Sequence, residues 1–370
     1  MNSLDKKEIP CCVFLDFAKA FDTVNHSILL GKLHHYGIRG NVLSLIESYL
    51  TDREQCVEIN NSTSDYAHIE HGVPQGSILG PLLFLLYIND IAESSPLLSF
   101  HLFADDTALF LSDKDLQRLE QNFNTELAHV TDWLIANKLS LNVNKSNVLL
   151  FRTKNDNTDS KIKIKINGTE IDEKTHAKYL GVILDHKMTY EHHIKHVSTK
   201  LVKGNAILAK VRHYVSNKTL INTYNAYIQP HIDYGLNIWG YSARCHLNLI
   251  ESQQRKSIRI MNFKKRDYDQ TNSLFKSSKI LPLLKLRDLN SCKLIWKARK
   301  SLLPPALNSL FSNRQFNSSL HVPYRRIETT QCCTSYLGAQ TWNKISNDIR
   351  NSPSINTFKA SLKLSLISSL

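Results

Sequence analysis

A chain of 370 residues is long enough for two or three domains with cores of their own, and 42% hydrophobic against 21% charged residues excludes global disorder. The longest apolar run, residues 78–88, contains Gly80 and Pro81 and falls short of the ~18–20 residues of a membrane span, while the polar first ten residues are no signal peptide. The formal charge of +13 is unevenly spread: residues 1–150 carry 10 Lys and Arg against 19 Asp and Glu, a balance of −9, and the remainder carries 36 against 14, or +22. An acidic first part and a basic second part point to separate tasks, the second toward a polyanionic partner. Seven cysteines without a C-x-x-C ladder read as reduced intracellular thiols.

The predicted elements begin with residues 11–16 (CCVFLD), short and apolar, as a buried strand. Ile28, Leu29, Leu33 and Tyr36 predict a helix over 25–36, stopped by Gly37, and Leu43, Leu45, Ile46 and Leu50 predict a second. Residues 55–60 and 66–71 read as paired strands around a polar turn over 61–65. A helix is expected over 81–91. Then comes a hairpin, 101–103 and 108–111, with Asp105 and Asp106 at its tip. Leu116, Leu119, Phe123, Leu127, Val130 and Leu134 step by three or four, an amphipathic helix over 115–136. Residues 147–151 and 179–184 read as strands. Between them 161–166 alternates Lys and Ile before the hairpin signal Asn167-Gly168. Strands interleaved with helices make this part α/β or α+β.

After Asp185 the pattern turns helical. Ile194, Val197, Leu201, Gly204, Leu208, Val211 and Val215 form an apolar seam. His196, Lys200, Lys203 and Lys210 share another face, within about 80° at ~100° per residue. His192 and His196 could share a helix face and bind zinc, but with no Cys and no acidic partner beyond Glu191 nearby, His192, His193 and His196 are read as part of that polar face. Helices follow over 218–227 and 247–261, the latter carrying Arg255, Lys256 and Arg259. With Lys264, Lys265 and Arg266 these make the densest basic cluster. From about 263 onward, Pro, Ser and Asn separate shorter helical pieces.

Two constellations carry chemistry. Asp16 ends an apolar strand, and Asp105 and Asp106 occupy a hairpin tip. Aspartate is common in turns and at strand ends, but if strand and hairpin are neighbours the carboxylates meet at one sheet edge. Such a group would repel itself unless a hard divalent cation such as Mg²⁺ were bound, and a metal pair clamps the attacking and leaving oxygens of an in-line phosphoryl transfer. Residues 71–84 (HGVPQGSILGPLLF) place Gly72, Gly76 and Gly80 around Pro74-Gln75, either a turn into a helix or a backbone built for close approach to a ligand. The spacings of a P-loop and of a dinucleotide fingerprint are absent.

FLDFAKAFDTVNH (14–26), HGVPQGSILGPLLFLLYIND (71–90), FADD (103–106), NKLSLNVNKSNVLLF (137–151) and YLGVILD (179–185) resemble, in order and spacing, the palm motifs of reverse transcriptases from non-LTR (LINE-like, jockey-type) retrotransposons. The resemblance covers about residues 8–262. It implies an α+β right-hand polymerase: a palm with a mixed or antiparallel sheet and partial fingers over 1–185, a helical thumb over 186–262 and a basic C-terminal extension over 263–370. It implies RNA-directed DNA synthesis on two Mg²⁺ ions, or Mn²⁺, held by Asp16, Asp105 and Asp106. Phe17 would lend a backbone carbonyl, and Phe21 would gate against a ribose 2′-OH. Gln75 and Gly76 would line the nascent base pair, Lys145 would assist pyrophosphate departure, and residues 179–185 would form the primer grip. Lys145 also reads as a solvated loop lysine. Lys200, Lys203, Lys210, Arg255, Lys256 and Arg259 would face the RNA template and DNA primer, with deoxynucleoside triphosphates as the other partner.

The tip reads Phe103 where many relatives have Tyr, which keeps the ring. Only fifteen residues precede Asp16, where the family has its fingers. A separate chain supplying fingers is therefore an expected partner, and a truncated, catalytically inactive nucleic-acid-binding remnant is the competing expectation. An RNA-templated RNA polymerase is a further alternative, against which Phe21 argues. The family's setting implies the nucleus and cytoplasm and no membrane.

Overall fold

Residues 9–15 are nearly all apolar and end up buried on both faces, which is why this segment becomes the central strand of a five-stranded sheet. The computed structural model describes residues 2–153, 156, 160–264, 268–311 and 319–370, so Lys265 and Arg266 of the basic cluster lie outside the described residues. The sheet order is Asp172–Glu173, Asn147–Leu150, Ile9–Leu15, Asp106–Asp113, Ser99–Phe103. Its pairings are antiparallel apart from the parallel contact of Asp172–Glu173 with Asn147–Leu150. Helices interleaved with an antiparallel-rich sheet make the chain α+β. It divides into two compact units, Lys6–Leu180 and Gly181–Leu370 with Met1–Asp5.

In the first unit, the Leu116–Ala136 helix buries Leu119, Phe123, Leu127, Val130 and Leu134, the residues whose spacing predicted it, and starts where Asp115 caps the Arg118 N–H. The Lys/Ile alternation is realised residue for residue: Ile162, Ile164 and Ile166 are buried and Lys161, Lys163 and Lys165 exposed. The turn that follows uses Asn167 and Gly168 in left-handed backbone. Side chains of the helix complete this strand's edge. Glu120 accepts the Lys163 N–H, and Asn124 both accepts the Lys165 N–H and donates to the Lys163 carbonyl, all at 2.8–2.9 Å.

Three local expectations are corrected. The 55–60/66–71 hairpin is broken into short pairings, Glu54–Gln55 with Ala67–His68 and Glu58–Ile59 with Ser62–Thr63. Its turn is the two left-handed residues Asn60 and Asn61, not 61–65. The helix expected over 81–91 runs Leu79–Ile88 and tightens into a 3-10 turn at Asn89–Ser94. The strand expected over 179–184 is interrupted: Leu180 (φ 44°) and Gly181 (φ 78°) separate His176–Tyr179 from Val182–Asp185.

In the second unit, Asp185 is a buried carboxylate spent on backbone. Its oxygens accept the N–H groups of Lys187, Thr189 and Tyr190, which shapes the loop into the Glu191–Val211 helix. That helix buries the predicted seam from Ile194 to Leu208 and ends before Val215. The stretches 186–262 and 263–370, expected on sequence as separate parts, contribute to one hydrophobic core. Leu201, Leu220 and Ile258 belong to it with Trp296, Trp342 and Phe358. The reason is that residues 263–370 contain two long helices, Leu283–Arg299 and Ile355–Ser368, whose aromatic side chains need cover. The Phe358 ring lies 6.1 Å from Trp296 and 5.7 Å from Trp342, and a fully buried aromatic is worth about 1.5–3 kcal/mol.

His193 also departs from expectation. It does not join the polar face: its side chain is 2% exposed, its ring is 5.7 Å from that of Trp239, and its Nδ1 accepts the Ile183 N–H at 3.3 Å. It stands four residues before Val197, hence on the apolar seam. Burial, and secondly the neighbouring His196, lower its pKa from 6.5 to about 4. The folded state therefore keeps the ring neutral while the unfolded chain protonates it below about 6.5. Stability from this residue is complete above that pH and is lost as pH falls toward 4. That depression corresponds to about 3 kcal/mol. Denaturant melts at pH 7 and pH 4.5 should show wild type losing about 2 kcal/mol more than His193→Phe. Equal losses would contradict the assignment.

Candidate active site

The register of the sheet brings the aspartates together. Leu15 pairs with Thr107 and Phe103 with Asp106, so Asp16 and Asp106 lie one step beyond the Leu15–Thr107 pair, where opposed side chains share a face. Asp105 is in the two-residue turn, made possible by left-handed Ala104 (φ 51°). Burial, followed by the charges of Asp105 and Asp16, pushes the Asp106 carboxyl above its ordinary value.

The segment that follows the Leu116–Ala136 helix is fastened alongside. Ala18 N–H donates to the Ser140 carbonyl at 2.8 Å, Asn142 N–H to the Asp16 carbonyl at 2.7 Å, and Asp16 N–H to Ser146 Oγ at 3.2 Å. Phe17, buried, forms a bridge with Leu141. These bonds carry Lys145 to the aspartates, its Nζ 4.0 Å from Asp16 Oδ2. With the two side chains 71% and 44% exposed, the ion pair is worth at most about 1 kcal/mol, so Lys145 is free to serve another anion.

The glycine loop is held by the other end of the first motif. Gly72 N–H donates to the Val24 carbonyl at 2.7 Å, Val73 N–H to the Phe21 carbonyl at 2.8 Å, and His26 Nε2 donates to the Gly72 carbonyl at 2.7 Å. A Cβ on Gly72 (φ 92°) would meet the Asp22 backbone at 2.9 Å, so the approach requires glycine. Asn25 caps the His26–His35 helix through Ile28 N–H, and Tyr87 Oη, wholly buried, accepts the Asn25 N–H and donates to the Asn137 carbonyl. The Phe21 ring packs 4.6 Å from Phe84. Gln75 Nε2 donates to Asp22 Oδ1 at 2.7 Å, and Gly76 is exposed in left-handed backbone. A cavity of about 540 Å³ is bordered by Lys19, Asp22, Arg53, His71 and Gln75. The three aspartates do not line it.

Lys19, Asp22, His26 and Arg53 were not singled out on sequence. For Asp22 and His26 the signal was their place inside the 14–26 motif; nothing local marks Arg53, which arrives from the broken hairpin. In the second unit, Lys200, Lys203 and Lys210 are exposed on the Glu191–Val211 helix, as is Lys256 on the Arg244–Met261 helix. Arg255 and Arg259 are half-buried, with Arg255 Nη1 reaching Asn272 Oδ1 at 3.3 Å. Nearby, burial and then the charges of Lys200 and His196 depress the pKa of His231, which favours its neutral ring.

Among the described residues, no three His, Cys, Asp or Glu side chains converge into a ready-made metal cage. The aspartates nonetheless offer the donor chemistry of a hard cation completed by a ligand's phosphates, since Mg²⁺ takes one or two carboxylates and few dedicated protein cages. The raised Asp106 carboxyl marks the negative charge such an ion would offset.

Residues 2–184 match the family model described as reverse transcriptase (RNA-dependent DNA polymerase). The chain is similar to RNA-directed DNA polymerases from the mobile element jockey, 28% identical in Drosophila melanogaster and 30% in Drosophila funebris. Each match covers 70% of this chain and 29% of the relative. It is 28% identical to the probable RNA-directed DNA polymerase from transposon X-element of Drosophila melanogaster, with the same coverage. The chain thus spans about three tenths of the length of these relatives. A solved telomerase structure from Candida albicans aligns over 73% of this chain and 46% of its own with a TM-score of 0.33 and 13% identity, too slight a likeness to bear on the fold.

Proposed function

Residues 2–184 are a reverse transcriptase domain of the non-LTR retrotransposon kind, and from that premise we propose that the Lys6–Leu180 unit is a polymerase palm that extends a DNA primer by copying RNA. The observation that carries this reading is the meeting of Asp16 and Asp106 across adjacent strands, with Asp105 in the turn between the hairpin's arms. In the reaction the primer 3′-hydroxyl gives up its proton to solvent as its oxygen bonds to the α-phosphorus of a deoxynucleoside triphosphate, and the bond to pyrophosphate breaks. Held by the three aspartates, two Mg²⁺ ions, or Mn²⁺, would neutralise the charge that develops on the phosphates.

The chain's own residues do the rest. Lys145, 4.0 Å from Asp16, is placed to donate a proton to the departing pyrophosphate. Phe21, braced on Phe84, presents a rigid ring to the sugar of the incoming nucleotide. Gln75 and Gly76 border the nascent pair, and Lys19 and Arg53 supply positive charge at the adjoining cavity. The Glu191–Val211 and Arg244–Met261 helices serve as a thumb, offering Lys200, Lys203, Lys210, Arg255, Lys256 and Arg259 to the template–primer backbone. Incubation of the chain with a primed RNA template, deoxynucleotides and Mg²⁺ should give primer extension that depends on the RNA. Folded chain that binds RNA but yields no product would refute the enzyme assignment.

A further inference from the structure

Away from the aspartates, the second unit contains a cleft of about 460 Å³ walled by Lys279, Lys293, Lys359 and Lys363. The lysines come from three places. Lys293 belongs to the Leu283–Arg299 helix, Lys359 and Lys363 lie one turn apart on Ile355–Ser368, and Lys279 follows Tyr268–Ser277 in left-handed backbone. Among the described residues, none of the four makes an ion pair. Burial, then Lys359, lowers the pKa of Lys293. Burial, then Lys359 and Lys279, lowers that of Lys363. Asp233, a lining carboxylate that accepts from Gln229 Nε2 and Asn290 Nδ2 at 3.0 Å each, partly offsets this by raising the pKa of Lys293, one negative charge against four lysines. Ile221, Leu286 and Leu289 supply apolar surface.

Gathering unpaired ammonium groups around one cleft opposes folding, and a bound polyanion would relieve it. We propose that this cleft binds the phosphates of an RNA strand, its apolar wall accommodating the attached sugar. Each lysine is a point donor for phosphate oxygens, and the cleft is too large for one free phosphate group alone. The existence of the anion site stands on the lysines; the choice of RNA over an acidic protein rests on the polymerase reading.

The test uses the full chain and a labelled unstructured RNA, with anisotropy read across a salt series. Lys359→Gln/Lys363→Gln should weaken binding about 20-fold near 0.1 M salt and reduce the slope of log affinity against log salt by about 1.4. Lys279→Gln, on another element, should reduce the slope by about 0.7, and Lys359→Arg/Lys363→Arg should retain wild-type binding. Lys161→Gln/Lys163→Gln, exposed in the other unit, is the matched control. An unchanged slope, or an equal change in the control, overturns the site. Polyglutamate displaced by RNA only weakly, and lost with the lysines, overturns the RNA assignment in favour of an acidic protein. Asp105→Asn leaves these lysines intact, so lost extension with RNA binding retained faults an extension step and not this cleft.

Discussion

Asp105→Asn is expected to lower the rate of primer extension by about 10³-fold with little change in stability. Asp105 is exposed in a two-residue turn whose backbone is set by Ala104 and by the Phe103–Asp106 pair, neither of which needs its charge. Asparagine keeps the shape and hydrogen-bonding tip but removes the negative charge that, with Asp16, raises the Asp106 carboxyl. If the three aspartates act together on the phosphates, the loss appears in the chemical step and not in RNA affinity. Initial rates alongside a thermal melt separate the two: a rate within tenfold of wild type would place the chemistry elsewhere.

Phe21→Ala is expected to reduce discrimination between deoxy- and ribonucleotides by about 10²-fold, within the range that pocket sterics can supply. Phe21 is only partly buried, yet Phe84 holds its ring at 4.6 Å, and its carbonyl accepts the Val73 N–H that anchors the glycine loop. The backbone bond survives truncation, so the glycine loop should stay in place while the ring is lost. Parallel incorporation of ribo- and deoxynucleotides by wild type and variant reads the ratio. An unchanged ratio would remove Phe21 as the gate and leave it a packing residue on Phe84.

The central strand, the aspartate hairpin and the Leu116–Ala136 helix were legible because each is governed by local periodicity and burial. The Lys/Ile alternation over 161–166 was equally plain. What completes its edge was not, since Glu120 and Asn124 reach it from a helix some forty residues earlier. His193 could have been placed inward, as it steps by four to Val197; its polarity outweighed its position. The C-terminal helices were undervalued for a related reason. Pro, Ser and Asn mark the connections, while Leu283, Leu286, Leu289, Cys292 and Trp296 carry the core and step by three and four only within one segment. At the site, motifs located the aspartates, Phe21, Gln75 and Lys145. The bonds that bring Lys145 to Asp16 span more than a hundred residues, such as Asn142 N–H to the Asp16 carbonyl, and these leave no spacing to read.

Single-turnover addition of one deoxynucleotide to a DNA primer on an RNA template is the most direct measurement of the central claim. Wild-type chain saturated with primed template should release one pyrophosphate per primer extended, and Asp16→Asn, prepared and melted in parallel, should release none on the same timescale. Extension at wild-type rate by Asp16→Asn would contradict the account, because the carboxylate that meets Asp106 across the sheet would then be dispensable.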